Sequence, residues 1–147
     1  MDGDENELRG AADERAIRRL VAQYADGVTR NDEQTWIGTW ADDGSWTLGG
    51  NTSTGHANLL ATWKGLMALF ETVVQLPQNG LLEIAGDRAT GRWVVVELGR
   101  TANGAASFSV GSYADVYRRS KKGWKFSERH FEFIYTGPPD LSGHWAV

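Results

Sequence analysis

A chain of 147 residues with a net charge of −4 and no cysteine is the size of a single domain with a sizeable core. The acidic balance lacks the basic face that a nucleic-acid surface needs, and the missing cysteine excludes disulfides and thiol nucleophiles. The acidic opening Met1-Asp2-Gly3-Asp4-Glu5-Asn6-Glu7 is unlike a secretory leader, and no apolar run approaches the ~20 residues of a membrane span. A cytoplasmic protein with neither a nucleic-acid nor a membrane partner is expected.

Residues 1–11 read as a flexible tail. Ile17, Leu20, Val21, Tyr24 and Val28 then fall at helical spacing, predicting an amphipathic helix from Ala12 to Thr29. Asn31 or Asp32 can cap a short second helix holding Trp36 and Trp40. Asp42-Asp43-Gly44 is a turn signal, followed by a strand from Ser45 to Gly49 and a polar loop. His56 to Phe70 carries Leu59, Leu60, Trp63, Leu66, Met67 and Phe70 at helical spacing. From Thr72 the period changes. Thr72–Gln75 and Gly80–Ala85 read as strand interrupted at Pro77. Ala89–Arg100, Ala106–Arg119 and Trp124–Thr136 read as three long strands, joined at Asn103-Gly104 and Lys121-Lys122-Gly123. Pro138-Pro139 ends the last strand, and residues 138–147 form a second tail.

Helices first and a strand meander second is the order of an α+β fold. The expected domain, residues 12–137, is a curved antiparallel sheet wrapped as a cone around the N-terminal helices, enclosing one cavity open at one end. Seven tryptophans are many for this length. Each serves either as core or as the wall of a cavity for a flat or polycyclic ligand, and each indole N–H needs an acceptor.

Candidate chemistry lies on two strands and one helix. In Ser127-Glu128-Arg129-His130-Phe131-Glu132-Phe133, alternation puts Arg129 with Phe131, Phe133 and Tyr135. An arginine on an aromatic face is either paired or binds an anion. His130 alternates to the face of Glu128 and Glu132, unless a bulge turns it inward as a base. Glu97 shares a face with Trp93 and Val95, where burial would raise its pKa and suit it to acid–base work. Tyr24 lies on the buried stripe of the first helix. The three histidines, His56, His130 and His144, have no metal-ligand spacing.

The stretches Ile17-x-x-Leu20-x-x-x-Tyr24 through Asp32-x-x-x-Trp36, Trp40-Ala41-Asp42-Asp43-Gly44-Ser45-Trp46, Gly86-Asp87-Arg88-Ala89-x-Gly91 and Tyr113-x-Asp115-x-Tyr117-Arg118-Arg119 resemble the SnoaL-like branch of the nuclear-transport-factor-2-like (NTF2-like) superfamily. The resemblance implies the cone-shaped α+β fold, a small hydrophobic substrate, no cofactor, and a homo-oligomer, dimer or trimer. It is similar in particular to the group of scytalone dehydratase, bile-acid dehydratase and hexachlorocyclohexane dehydrochlorinase. There an aspartate-oriented histidine removes a proton and a leaving group departs. The aspartate position falls on Thr29 and the histidine position on Gln75, with Asn79 four residues later, so this chain departs from the dyad at both places. Neither Thr29 nor Gln75 is a useful base at neutral pH; both can orient a substrate. The resemblance places Tyr24 and Arg129 in the pocket, and Glu97 roughly where some relatives carry a second pocket acid. Trp40, Trp46, Tyr113 and Phe133 are expected to bind the substrate with Thr29, Gln75 and Asn79.

The resulting expectation is a cofactor-free lyase in which Tyr24 and Arg129 polarise an oxygen and Glu97 or His130 moves the proton. Water elimination and retro-aldol cleavage are the candidate reactions. The alternatives are a non-catalytic binding protein and an isomerase of the ketosteroid type with a carboxylate base.

Overall fold

The architecture was obtained as a computed structural model that describes residues 2–146. Helix α1 (Asp2–Thr29) opens it. Its stripe of Ile17, Leu20, Val21, Tyr24 and Val28 is at most 5% exposed. The expected tail is helical from Asp2 onward: Asp4, Glu5 and Glu7 favour a helix N-terminus, and these exposed residues extend the buried part of α1 without adding core. Met1 and Val147, the outer ends of the two expected tails, lie outside the described residues. Asp13 anchors α1 by accepting from both Nη atoms of Arg119 at 2.7 Å and from the Trp124 indole at 3.0 Å.

Helix α2 (Glu33–Ile37) is capped by Asp32, whose carboxylate accepts from the Thr35 backbone N–H at 3.1 Å and its hydroxyl at 2.7 Å. Strand β1 (Trp40–Leu48) starts five residues before the expected Ser45 and runs through Asp42-Asp43-Gly44, where its register with its neighbour shifts. The turn signal therefore marks a bulge within a strand. Then come β2 (Asn51–Thr54), α3 (His56–Met67), β3 (Phe70–Pro77), β4 (Leu81–Ala85), β5 (Arg88–Thr101), β6 (Ala106–Ser120), β7 (Gly123–Thr136) and a two-residue β8 (His144–Trp145).

The strands form one curved, unclosed sheet in the order β2-β1-β7-β6-β5-β3, with β4 paired to β5 and β8 to β7. The sheet is mixed, not antiparallel throughout, because β1 lies parallel to β7. Hairpins dictate antiparallel pairing between chain neighbours such as β5–β6. No hairpin joins β1 to β7, so their direction is free to follow the path of α1 and α2. Among the described residues no helix is long and apolar enough to cross a membrane.

Two bulges in β7 set which side chains face inward. Pairing with β6 skips Ser127 and Ile134. The first bulge keeps both Phe126 and Arg129 inside, at 0% and 2% exposure. The second carries Tyr135 off the face of Phe133 and opposite Val110, correcting the expected Arg129–Tyr135 face. There Tyr135 is covered by the C-terminal segment: its ring lies 4.7 Å from that of Trp145, and its hydroxyl donates to the Pro138 carbonyl and accepts from Gly143 N–H.

A further irregularity, between Phe70 and Thr72 of β3, bends that strand against β5 beside Gly99. A Cβ on Gly99 would run into the Thr72 carbonyl oxygen and Val73 Cα, both backbone. Gly99→Ala is expected to cost ~1–3 kcal/mol, read as a fall in melting temperature of roughly 3–10 °C.

Candidate active site

The inner face of the sheet, α1 and α3 enclose a cavity of about 330 Å³. Trp46 and Leu48 of β1, Trp63, Leu66 and Met67 of α3, Phe70 and Val73 of β3, and Phe131 and Phe133 of β7 make its apolar walls. Its polar lining is Tyr24, Gln75, Glu97, Ser109 and Tyr113. Strand alternation accounts for this set. Val73 and Gln75 on β3, Glu97 on β5, and Ser109 and Tyr113 on β6 share one face, with Gln75 directly opposite Glu97 and Glu97 opposite Ser109 in the register.

Glu97 is half-buried and accepts a hydrogen bond from Gln75 Nε2 at 2.9 Å. Burial raises its pKa above the ordinary glutamate value; the Gln75 amide pulls the other way without cancelling it. Gln75 is fixed in turn by Thr29, whose hydroxyl accepts from the Gln75 backbone N–H at 3.1 Å. The two positions that correspond to the dyad in the sequence are thus adjacent in space, but they form a support for a carboxyl group on the next strand.

Behind the cavity lies a second polar cluster. Arg129 donates to Asp115 in bidentate fashion, Nε to Oδ1 at 2.9 Å and Nη2 to Oδ2 at 3.1 Å, with side chains 2% and 0% exposed. The Tyr117 hydroxyl donates to Asp115 at 2.7 Å and accepts from the Trp93 indole at 2.7 Å. The guanidinium carbon lies 3.6 Å from the Tyr113 ring centroid, 4.3 Å from Tyr24 and 4.4 Å from Phe126. Burial penalises this cation most strongly, yet Asp115 together with the surrounding Tyr113, Tyr24 and Tyr117 outweighs that and holds its pKa above the ordinary arginine value. The tyrosines shift the same way for a different reason: burial raises Tyr24, and raises Tyr113 further, against the opposing charge of Arg129. Both phenols are therefore neutral donors at physiological pH.

The sequence-derived residues separate into two groups. Tyr24, Trp46, Gln75, Glu97, Tyr113 and Phe133 line the cavity, Phe133 at its rim with 51% exposure. Thr29 touches it only through Gln75. Arg129 lies outside the lining, under Tyr113 and Tyr24, because Asp115 on the neighbouring strand captures its fork. Trp40 packs behind Tyr24 and Phe126. Asn79, past Pro77, is exposed and accepts from Arg18 at 2.6 Å. His130 is exposed 3.4 Å from Glu132 on the outer face, since the bulges fall at Ser127 and Ile134 and leave its alternation intact. It borders an open depression of about 560 Å³, with exposed Glu83, Arg92 and Glu128. Trp63, Leu66, Phe70 and Phe131 are wall residues that the sequence placed only as helix or strand core; their apolar spacing could not say which of them faces a void. Among the described residues no group of three potential ligands could hold a metal ion.

Residues 9–130 match the model of a family described as the SnoaL-like domain. No curated protein matches. Among solved structures, the hexachlorocyclohexane dehydrochlorinase LinA-type3 of Novosphingobium barchaimii is 26% identical, with 98% of each chain covered and a TM-score of 0.81. A protein of Novosphingobium aromaticivorans provisionally described as an aromatic ring hydroxylase is 27% identical, covering 91% of this chain and 94% of its own, with a TM-score of 0.81. Another from that organism, provisionally described as a scytalone dehydratase, is 19% identical over 99% of this chain and 97% of its own at a TM-score of 0.81, a likeness of fold alone.

Two outcomes test this geometry. Arg129→Met leaves Asp115 buried without its cation and should cost ~3–5 kcal/mol, about 10 °C in melting temperature or more. Arg129→Met/Asp115→Leu should recover more than half of that loss; if the double variant is as unstable as the single one, the pair is not what holds this region together. For Glu97, the folded state binds the proton more tightly than the unfolded chain, so stability falls as pH rises from the ordinary value of 4.5 through the raised one. Thermal unfolding of Glu97→Gln should match the wild type at pH ~4 and exceed it near neutrality.

Proposed function

The chain belongs to the SnoaL-like domain family, and from that premise we propose that it is a cofactor-independent lyase acting on an aromatic or polycyclic molecule held in the cavity. The observation that carries this reading is Glu97: a half-buried carboxyl of raised pKa, oriented by Gln75, on the wall of an otherwise apolar cavity. The dehydrochlorinase of the same fold supports elimination as the reaction class. The Thr29 and Gln75 substitutions move the proton chemistry from the dyad to Glu97.

In the proposed reaction the Glu97 carboxylate takes the proton from a carbon next to a carbonyl. The C–H electron pair becomes the new C=C bond, and the bond from the adjacent carbon to the leaving group breaks with its pair. When that group is hydroxide, Glu97 returns the proton to it, water departs, and the carboxylate is restored. Tyr113 and Tyr24 donate hydrogen bonds to the carbonyl oxygen, where charge accumulates. Arg129 does not touch substrate; it holds the two phenol rings in place through its aromatic contacts.

A second reading is favoured by one feature. The replacement of both dyad positions by residues that only hydrogen-bond suits a binding protein that keeps the cavity and has lost the chemistry. Assays that follow the conjugated product of aryl β-hydroxy ketones, and chloride release from hexachlorocyclohexane, separate the two. The lyase reading expects turnover that falls ~10²–10⁴-fold in kcat in Glu97→Gln, with KM little changed. Binding of these compounds with no turnover assigns the protein to the second reading.

A further inference from the structure

The lyase reading of this cavity leaves the ligand's charge open, and the distribution of charged side chains answers it. Glu97 is the one ionisable acid or base among the lining residues, the phenols apart. The buried cation nearest to it, Arg129, is consumed by Asp115 and covered by the rings of Tyr113 and Tyr24. Lys64 of α3 pairs with Glu33, and Arg100, beyond Glu97 on β5, pairs with Glu71; neither lines the cavity. The neutral donors that line it are the Tyr24, Tyr113 and Ser109 hydroxyls and the Gln75 amide, none of which carries a positive charge. The indole nitrogens of Trp36, Trp40, Trp46 and Trp63 are buried without a hydrogen-bond partner.

Resting on the reading above, we infer that the cavity discriminates by charge: it takes uncharged ring compounds, tolerates an amine cation beside Glu97, and rejects anions. A carboxylate or phosphate bound here would lose its hydration, meet no cation, and lie within a few ångströms of the Glu97 carboxylate. Like charges placed together in a poorly solvated site are strongly disfavoured. An ammonium group would instead gain both the Glu97 carboxylate and the aromatic faces of Tyr24, Trp46 and Phe131. The natural substrate therefore reaches this protein before any acidic group is added to its ring system, or after such a group has been masked as an ester, amide or thioester.

The test is isothermal titration calorimetry at neutral pH with three probes of one size: 2-naphthylmethanol, 2-naphthylmethylamine and 2-naphthoate. The alcohol and the amine should bind, and the naphthoate should be weaker than the alcohol by about 100-fold or more. In Glu97→Gln that ratio should shrink to roughly 10-fold or less, and the amine should bind more weakly than it does to the wild type. Equal binding of naphthoate and alcohol by the wild type, a ratio unchanged in Glu97→Gln, or failure of the alcohol to bind each overturns the inference. The lyase reading fails separately: ligands that bind with the expected charge order but are never turned over leave the discrimination standing and remove the chemistry.

Discussion

The buried pairing of Arg129 with Asp115 is the constraint around which the rest of the molecule is arranged. A guanidinium 2% exposed is tolerable only with a bidentate carboxylate partner and further bonds on that carboxylate. Both conditions are met here, the second by the Tyr117 hydroxyl, itself held by Trp93. Satisfying the pair ties β5, β6 and β7 together at one level of the sheet. It also leaves the flat face of the guanidinium to the rings of Tyr113, Tyr24 and Phe126, which brings α1 down onto the sheet. The back of the cavity is thereby fixed by electrostatics. The bulge at Ser127 is the backbone device that makes this possible, since without the extra residue Phe126 and Arg129 would face opposite sides.

The junction of α2, α3 and β1 is built largely on aromatic contact. Trp36 stacks on Trp63 at 5.1 Å and touches Trp46 and Trp40 at 5.3 and 5.7 Å. Four indole N–H groups there have no acceptor, a cost of about 1–3 kcal/mol each. Large apolar burial and close ring packing offset it. Four of the seven tryptophans are used here, bridging α2, α3 and β1. The cavity is the space left between a polar back, closed by ion pairing, and an aromatic front.

Much of this was legible in the sequence, and the limits have physical causes. The stripe of α1, the α+β order and the three long strands follow from periodicity that burial enforces. The inward set Gln75, Glu97 and Tyr113 follows from strand alternation, and the resemblance to the SnoaL-like family points to the same wall. The parallel β1–β7 pairing is invisible because no local signal records the direction in which distant strands meet. The bulge at Ile134, which removes Tyr135 from the inner face, has no neighbouring glycine or proline on its own strand to mark it; the glycine beside it, Gly111, is on β6. Arg129 illustrates the harder case. The two alternatives for an inward arginine, a ligand or a partner, differ only in whether a carboxylate lies opposite on the next strand. Asp115 does lie opposite, directly across the β6–β7 register, but that register exists only once the sheet is formed.

In the proposed lyase, a base at Glu97 in place of a dyad has a chemical consequence beyond the identity of the residue. A histidine–aspartate dyad shares its charge between two side chains, so the proton it takes up is balanced locally by the aspartate. Glu97 has only a neutral amide beside it. Its proton affinity is therefore set mainly by how dry the cavity is, because burial is the largest cause of its raised pKa. A bound ring that expels water from the cavity strengthens the base at the moment it is needed, while the same ring, if it carried a negative charge, would force Glu97 to bind a proton first and disable it. In the proposed reaction, catalysis and charge selection at this wall are two expressions of one property, the poor solvation of a single carboxylate supported by Gln75 and Thr29.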